Sequence, residues 1–189
     1  MNAKYILWIF LLLLSGCFPD DPDLEFTLPP ETQEGKNTVG FLKNDEVWVN
    51  YGKDCKFIGG CQESIESSFY TYKEGKTLLL TALQLIRRDR KLAVSQHFDI
   101  SLDNIKGTGV YLIDGTRPDD RVSFSDETRN VNHYYLIDST KTPFNLYITK
   151  IDTIADIVSG RFEGVLYHHT NKKDSIIIRE GRFDINIKE

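Results

Sequence analysis

The residues of this 189-residue chain whose types could do chemistry are a pair of thiols, four imidazoles and one carboxylate-rich loop. Cys55 and Cys61 stand six positions apart in DCKFIGGC. Outside the cytosol such an isolated pair reads as a disulfide closing a small loop; as a metal site it lacks its remaining ligands. His168 and His169 are adjacent, so on a strand they face opposite sides and share no metal. His97 lies beside Asp99 on a polar face and His133 opens another stretch, so local spacing assembles no zinc set. No metal and no cofactor is expected. Asp114, Asp119 and Asp120 in DGTRPDD offer oxygen ligands, but without the one-apart spacing of a calcium loop they read as a solvated turn. The patterns GxSxG, SxxK, HExxH and the Walker loop are absent. No residue is therefore nominated as catalytic, and an acid pair of a glycoside hydrolase is a matter of distance in space.

Recognition has better candidates. Tyr70 and Tyr72 share one face of a period-two stretch and offer an aromatic platform for a glycan or a protein. SGRFEG (159–164) and EGRFDI (180–185) repeat one another. Strand parity turns Phe162 and Phe183 inward and Arg161, Glu163, Arg182 and Asp184 outward. The expected cross-strand pairs are Arg161 with Asp184 and Arg182 with Glu163, either a charged recognition stripe or solvated surface pairing.

The elements that must position these residues are strands. Only four alanines occur, while Tyr, Phe, Ile, Val and Thr abound. From Leu92 to Leu102, apolar residues alternate with Ser95, His97, Asp99 and Ser101, which is a half-buried strand. Thr77–Ile86 is apolar on both faces and so central. Residues 38–43 and 46–50 form a hairpin around Asn44-Asp45. Further strands are expected near 67–73, 108–113, 121–125, 133–138, 144–152, 156–168, 174–180 and 182–188, with a helical turn admitted only around Gln62–Ser67. The expected fold class is all-β: an antiparallel meander of about ten or more strands forming a sandwich or an open barrel. The net charge of −5, without a basic tract, argues against nucleic acid as a partner.

The amino terminus supplies an address. Tyr5–Leu14 is ten apolar residues long, the length of a signal-peptide core and too short to span a bilayer. Leu14-Ser15-Gly16-Cys17 resembles a bacterial lipobox, which implies that residues 1–16 are removed and that Cys17 carries acyl chains. Phe18 follows, where inner-membrane retention would place aspartate, and Asp20, Asp21 and Asp23 resemble the surface-export signal of Bacteroidetes lipoproteins. Residues 17–37, with four of the six prolines, are expected to be an extended, disordered tether to a single β domain at 38–189. The opening LPPETQEGKNTVG and the ending SGRFEG…EGRFDI resemble small outer-membrane lipoproteins of Bacteroidetes that share a domain of unknown function. That resemblance implies a β-rich exported lipoprotein and carries no catalytic residue with it. The expectation is a lipid-anchored binding or assembly module, membrane-bound and slightly favoured at the cell surface. The alternatives are an extracellular hydrolase of polymers, and a calycin-like ligand carrier or enzyme inhibitor with an empty apolar lumen.

Overall fold

The computed structural model describes residues 24–56, 60–72, 75–88, 91–128 and 133–187. The leader, Cys17 and the acid cluster at 20–23 lie outside the described residues. Thirteen strands follow one another: β1 (Thr38–Lys43), β2 (Glu46–Val49), β3 (Asp54–Lys56), β4 (Gly60–Gln62), β5 (Ile65–Tyr72), β6 (Gly75–Arg88), β7 (Lys91–Ile105), β8 (Gly109–Ile113), β9 (Arg121–Asp126), β10 (His133–Leu136), β11 (Phe144–Asp152), β12 (Ile157–His168) and β13 (Ser175–Asn186). No α-helix occurs among the described residues, and the stretch admitted as a helical turn, 62–67, is the end of β4, a bend and the start of β5.

Nine strands form one curled antiparallel sheet, a half-barrel, in the order β2-β1-β13-β12-β10-β9-β7-β6-β5. The order departs from a simple meander in two places. The last strand returns to pair with the first (Val39 opposite Phe183). The antiparallel β8–β11 pair branches off β12, whose amino-terminal half pairs β11 and whose far end pairs β10. Beyond Ala82, β6 outruns β5, and there Tyr51 forms a parallel bridge to Gln84. The Tyr51 amide donates to the Leu83 carbonyl and the Leu85 amide donates back, both at 2.9 Å, so the two flanks of the curl meet at that point. Asn44 and Asp45 both take positive φ (49° and 71°), the conformation a two-residue hairpin turn requires.

The concave side is filled, not hollow. Phe41 stacks on Trp48 at 4.7 Å and Phe98 on Phe162 at 4.9 Å, with Phe124 and Phe144 closing the group. Each fully buried ring contributes roughly 1.5–3 kcal/mol of transfer free energy. One end carries a polar network, in which Trp48 Nε1 and Lys43 Nζ donate to Gln96 Oε1 while Gln96 Nε2 donates to Asp126 at 2.6 Å. Burial pushes the Lys43 ammonium below its usual range, opposed by Asp126 and Glu46.

The repeated GRF motif is an interlock. Gly160 lies opposite Phe183 and Phe162 opposite Gly181 across β12 and β13. A β-carbon on Gly160 would sit 2.6 Å from the Phe183 ring, and one on Gly181 would sit 2.3 Å from the Phe162 ring. Each glycine thus makes room for the other copy's phenylalanine. The expected strands at 174–180 and 182–188 are one strand, β13, kinked where Glu180 takes a φ of 51°.

Candidate functional site

The interlock corrects the charge pairing expected from sequence. Because Gly160 faces Phe183, Arg161 faces Arg182 rather than Asp184. Glu163 faces Asn145 and accepts from the Tyr147 hydroxyl at 3.3 Å, so Arg182 has no Glu163 to meet. The two arginines are neutralised separately, Arg161 by Glu31 at 2.6 Å and Arg182 by Glu180 at 3.2 Å. Asp184 has the expected parity, since Phe183 and Ile185 point to the core, yet it is 2% exposed.

What buries Asp184 is the segment expected to be a free tether. From Phe26 onward the chain lies against the sheet: Phe26 packs edge-on against Tyr51 at 5.4 Å. Residues 29–36 run as a strap over β13. The Asp184 carboxylate accepts from the Thr32 hydroxyl, from the amides of Glu34 (3.1 Å), Gly35 (2.9 Å) and Lys36 (3.2 Å), and from the Ser159 hydroxyl (2.8 Å). Burial raises its pKa, but these donors outweigh burial and hold it down at about 2. Every acceptor position is used, so this carboxylate is a latch and not a general base. The hollow beneath the strap is small, about 170 Å³, and is lined by Arg161, Arg182 and the strap itself.

The histidines also differ from expectation. β12 ends at His168 and the chain bends at His169, so the adjacent rings lie 4.8 Å apart instead of on opposite faces. His133 reaches within 5.7 Å of the His168 ring. His168 Nδ1 faces the amides of Thr170 and Asn171, and His169 Nδ1 faces the Tyr134 carbonyl at 3.2 Å. Among the described residues no group of three His, Cys, Asp or Glu could hold a metal ion. Cys55 and Cys61 are directly opposed in the β3–β4 hairpin and form a disulfide.

An open groove lies on the convex face, and Tyr70 is its wall. Along β5, Phe69 turns into the core, so Tyr70 turns out and is 44% exposed. The Tyr72 side chain lies outside the described residues. Leu79, 39% exposed, stands beside Tyr70, with Ser101 opposite it on β7 and Arg121 beyond on β9. The far wall is the DGTRPDD loop, and the groove has a volume of about 350 Å³. That loop is fastened from beneath: Asp120 is buried, accepts from the Asp103 amide at 3.0 Å and pairs with Arg117. Burial pushes the Asp120 carboxyl up, opposed by that amide and by Arg117. The Ser101 hydroxyl donates to the Asp119 carbonyl at 2.8 Å, and Asp114 accepts from Thr116 at the loop's start. Asp119 is exposed and lines the groove together with Tyr70.

Sequence reasoning singled out Tyr70 and the carboxylate loop separately but had no means to join them. Leu79 and Arg121 were missed as neighbours, since nothing local links positions 42 residues apart. A larger hollow of about 620 Å³ opens at one end of the half-barrel, lined by Lys76, Lys106 and Ile151 among others. Beside it Lys76 lies over the Phe69 ring and the Tyr111 hydroxyl bonds the backbone at 106–107.

The profile of a family described as Domain of unknown function (DUF5025) matches residues 53–186. No curated protein and no solved structure matches the chain.

Proposed function

The chain belongs to the DUF5025 family, and we propose that it serves as a lipid-anchored binding module of the cell envelope. In this reading Cys17 carries the acyl chains, the domain stands on the outer membrane facing outward, and the Tyr70 groove meets its partner. The address rests on the apolar leader and the lipobox-like Leu14–Cys17. The observation that carries the binding role is a free aromatic beside a fixed polar loop, on a sheet whose own interior is already filled with rings. A filled interior disfavours a carrier of a small apolar ligand. Of the groove's acids Asp103 accepts from the Thr77 hydroxyl, and Asp120 and Asp184 are spent on holding loops, which leaves Asp119 without an unengaged partner carboxylate and disfavours hydrolysis.

The binding role is tested in cells by placing the photo-crosslinking residue p-benzoylphenylalanine at position 70 of the full chain. The expected outcome is a light-dependent adduct at 70 that is missing when the same residue stands at Arg179. Equal labelling at both positions, or none at 70, overturns it. The anchor is tested by Cys17→Ala, which should release the chain from the detergent phase. Unchanged partitioning would show that the leader itself is the anchor.

A further inference from the structure

Resting on that binding reading, we infer that the groove's ligand is a neutral, hydroxyl-rich polysaccharide whose sugar ring lies flat on Tyr70. The inference comes from which groups the protein leaves unused. Several exposed charges elsewhere are paired: Lys36 with Glu34, Lys53 with Glu63, Arg161 with Glu31, Arg179 with Asp45. In the groove the Tyr70 hydroxyl, the Asp119 carboxylate and the Arg121 guanidinium make no hydrogen bond or ion pair with any described residue, and Asp119 and Arg121 do not pair with each other. A carboxylate only accepts, a guanidinium only donates and a phenol does both. Neighbouring hydroxyls on a sugar ring satisfy all three at once, because each hydroxyl both donates and accepts.

Shape points the same way. The apolar part of the groove is the Tyr70 ring, the side of Leu79 and Pro118, and the exposed ring is suited to the C–H face of a pyranose. Asp103, held by the Thr77 hydroxyl at 2.6 Å, and Ser101 continue the polar floor. A peptide would gain less here. The backbone of β6 and β7 beneath the groove is consumed by ladders on both sides, so a peptide strand could add only along the outer edge of β5, beside the groove and not within it. The Asp103 and Asp119 carboxylates oppose a polyanion, and Arg121 opposes a cationic partner.

The test is isothermal titration of the full-length protein in detergent with hexamers of β-1,4-glucose, α-1,4-glucose, β-1,4-mannose and β-1,4-xylose, and with hexagalacturonate as the charged control. At least one neutral hexamer should bind and hexagalacturonate should not. Tyr70→Ala should weaken that binding at least tenfold and Asp119→Asn at least threefold, while Tyr70→Phe keeps it within threefold and Arg161→Ala leaves it unchanged. The inference fails if no neutral hexamer binds, or if Tyr70→Ala binds as tightly as the parent. An adduct at position 70 to a protein or lipid would also remove the sugar while leaving the binding role intact, so the two readings fail separately.

Discussion

The convex face of the half-barrel carries two carboxylate-centred regions that the protein treats oppositely. Around Asp184 five donors converge on one carboxylate and a strap of the chain's own residues covers it. Around Tyr70 the supporting acid, Asp120, is likewise buried and satisfied, but its neighbour Asp119 is turned out and left without a partner. A buried charge must be fully hydrogen-bonded to persist, whereas an exposed one is free to wait for a ligand. Internal satisfaction therefore separates what holds this fold together from what it offers to a partner. The expected charged stripe of Arg161, Arg182 and Asp184 falls on the structural side of that line.

The sharpest way to break the contrast is Asp184→Asn. Losing the charge that gathers the three amides and two hydroxyls should lower the unfolding free energy by about 2–4 kcal/mol, measured by urea denaturation. Limited proteolysis should then cut within 31–36, which the parent resists. A parental stability in this variant would mean that the strap is not latched. The same latch predicts an acid limb. Asp184 has a folded pKa of about 2 against an ordinary 3.8. Its contribution is therefore present above about pH 4 and is lost as pH falls toward 2. Acid denaturation of the parent should show this limb, and the asparagine variant should lack it.

Smaller effects test the remaining parts. Replacing Cys55 and Cys61 by serine removes a staple worth up to about 2 kcal/mol in the chain-entropy picture. Because β3 and β4 pair only with each other, the loss should loosen their amide exchange before it touches the half-barrel. Glu31→Ala removes an exposed ion pair and should cost less than about 1 kcal/mol. At the small end, Tyr70→Ala and Asp119→Asn should each change stability by less than about 0.5 kcal/mol. A groove substitution that destabilises as much as Asp184→Asn would erase the distinction between the two regions.

The all-β class was legible because alternation over eleven residues and a shortage of alanine leave little room for helices. The hairpin at Asn44-Asp45 was legible from turn chemistry, and the Cys55–Cys61 bridge from spacing. The arginine pairing was not, because register depends on which glycine receives which phenylalanine, and a two-residue offset keeps each side chain on its face but changes every partner. The adjacent histidines misled because a strand's parity ends where the strand does, at His168. The strap was hidden for a different reason. Residues 29–36 are proline- and acid-rich, which is the composition of a tether, and no local signal says that Asp184, 152 residues from Thr32, is waiting for their amides.

The sequence by itself determined that this chain builds sheets and where one turn and one disulfide lie, because each follows from residue type or from a period within a few positions. Only the tertiary structure decided that the half-barrel is filled with rings, that residues 26–36 are part of the domain, and that Tyr70 and Asp119 share a groove. Those facts depend on contacts between residues far apart in the chain, and such contacts are set by which side chains fit together once the sheet has curled.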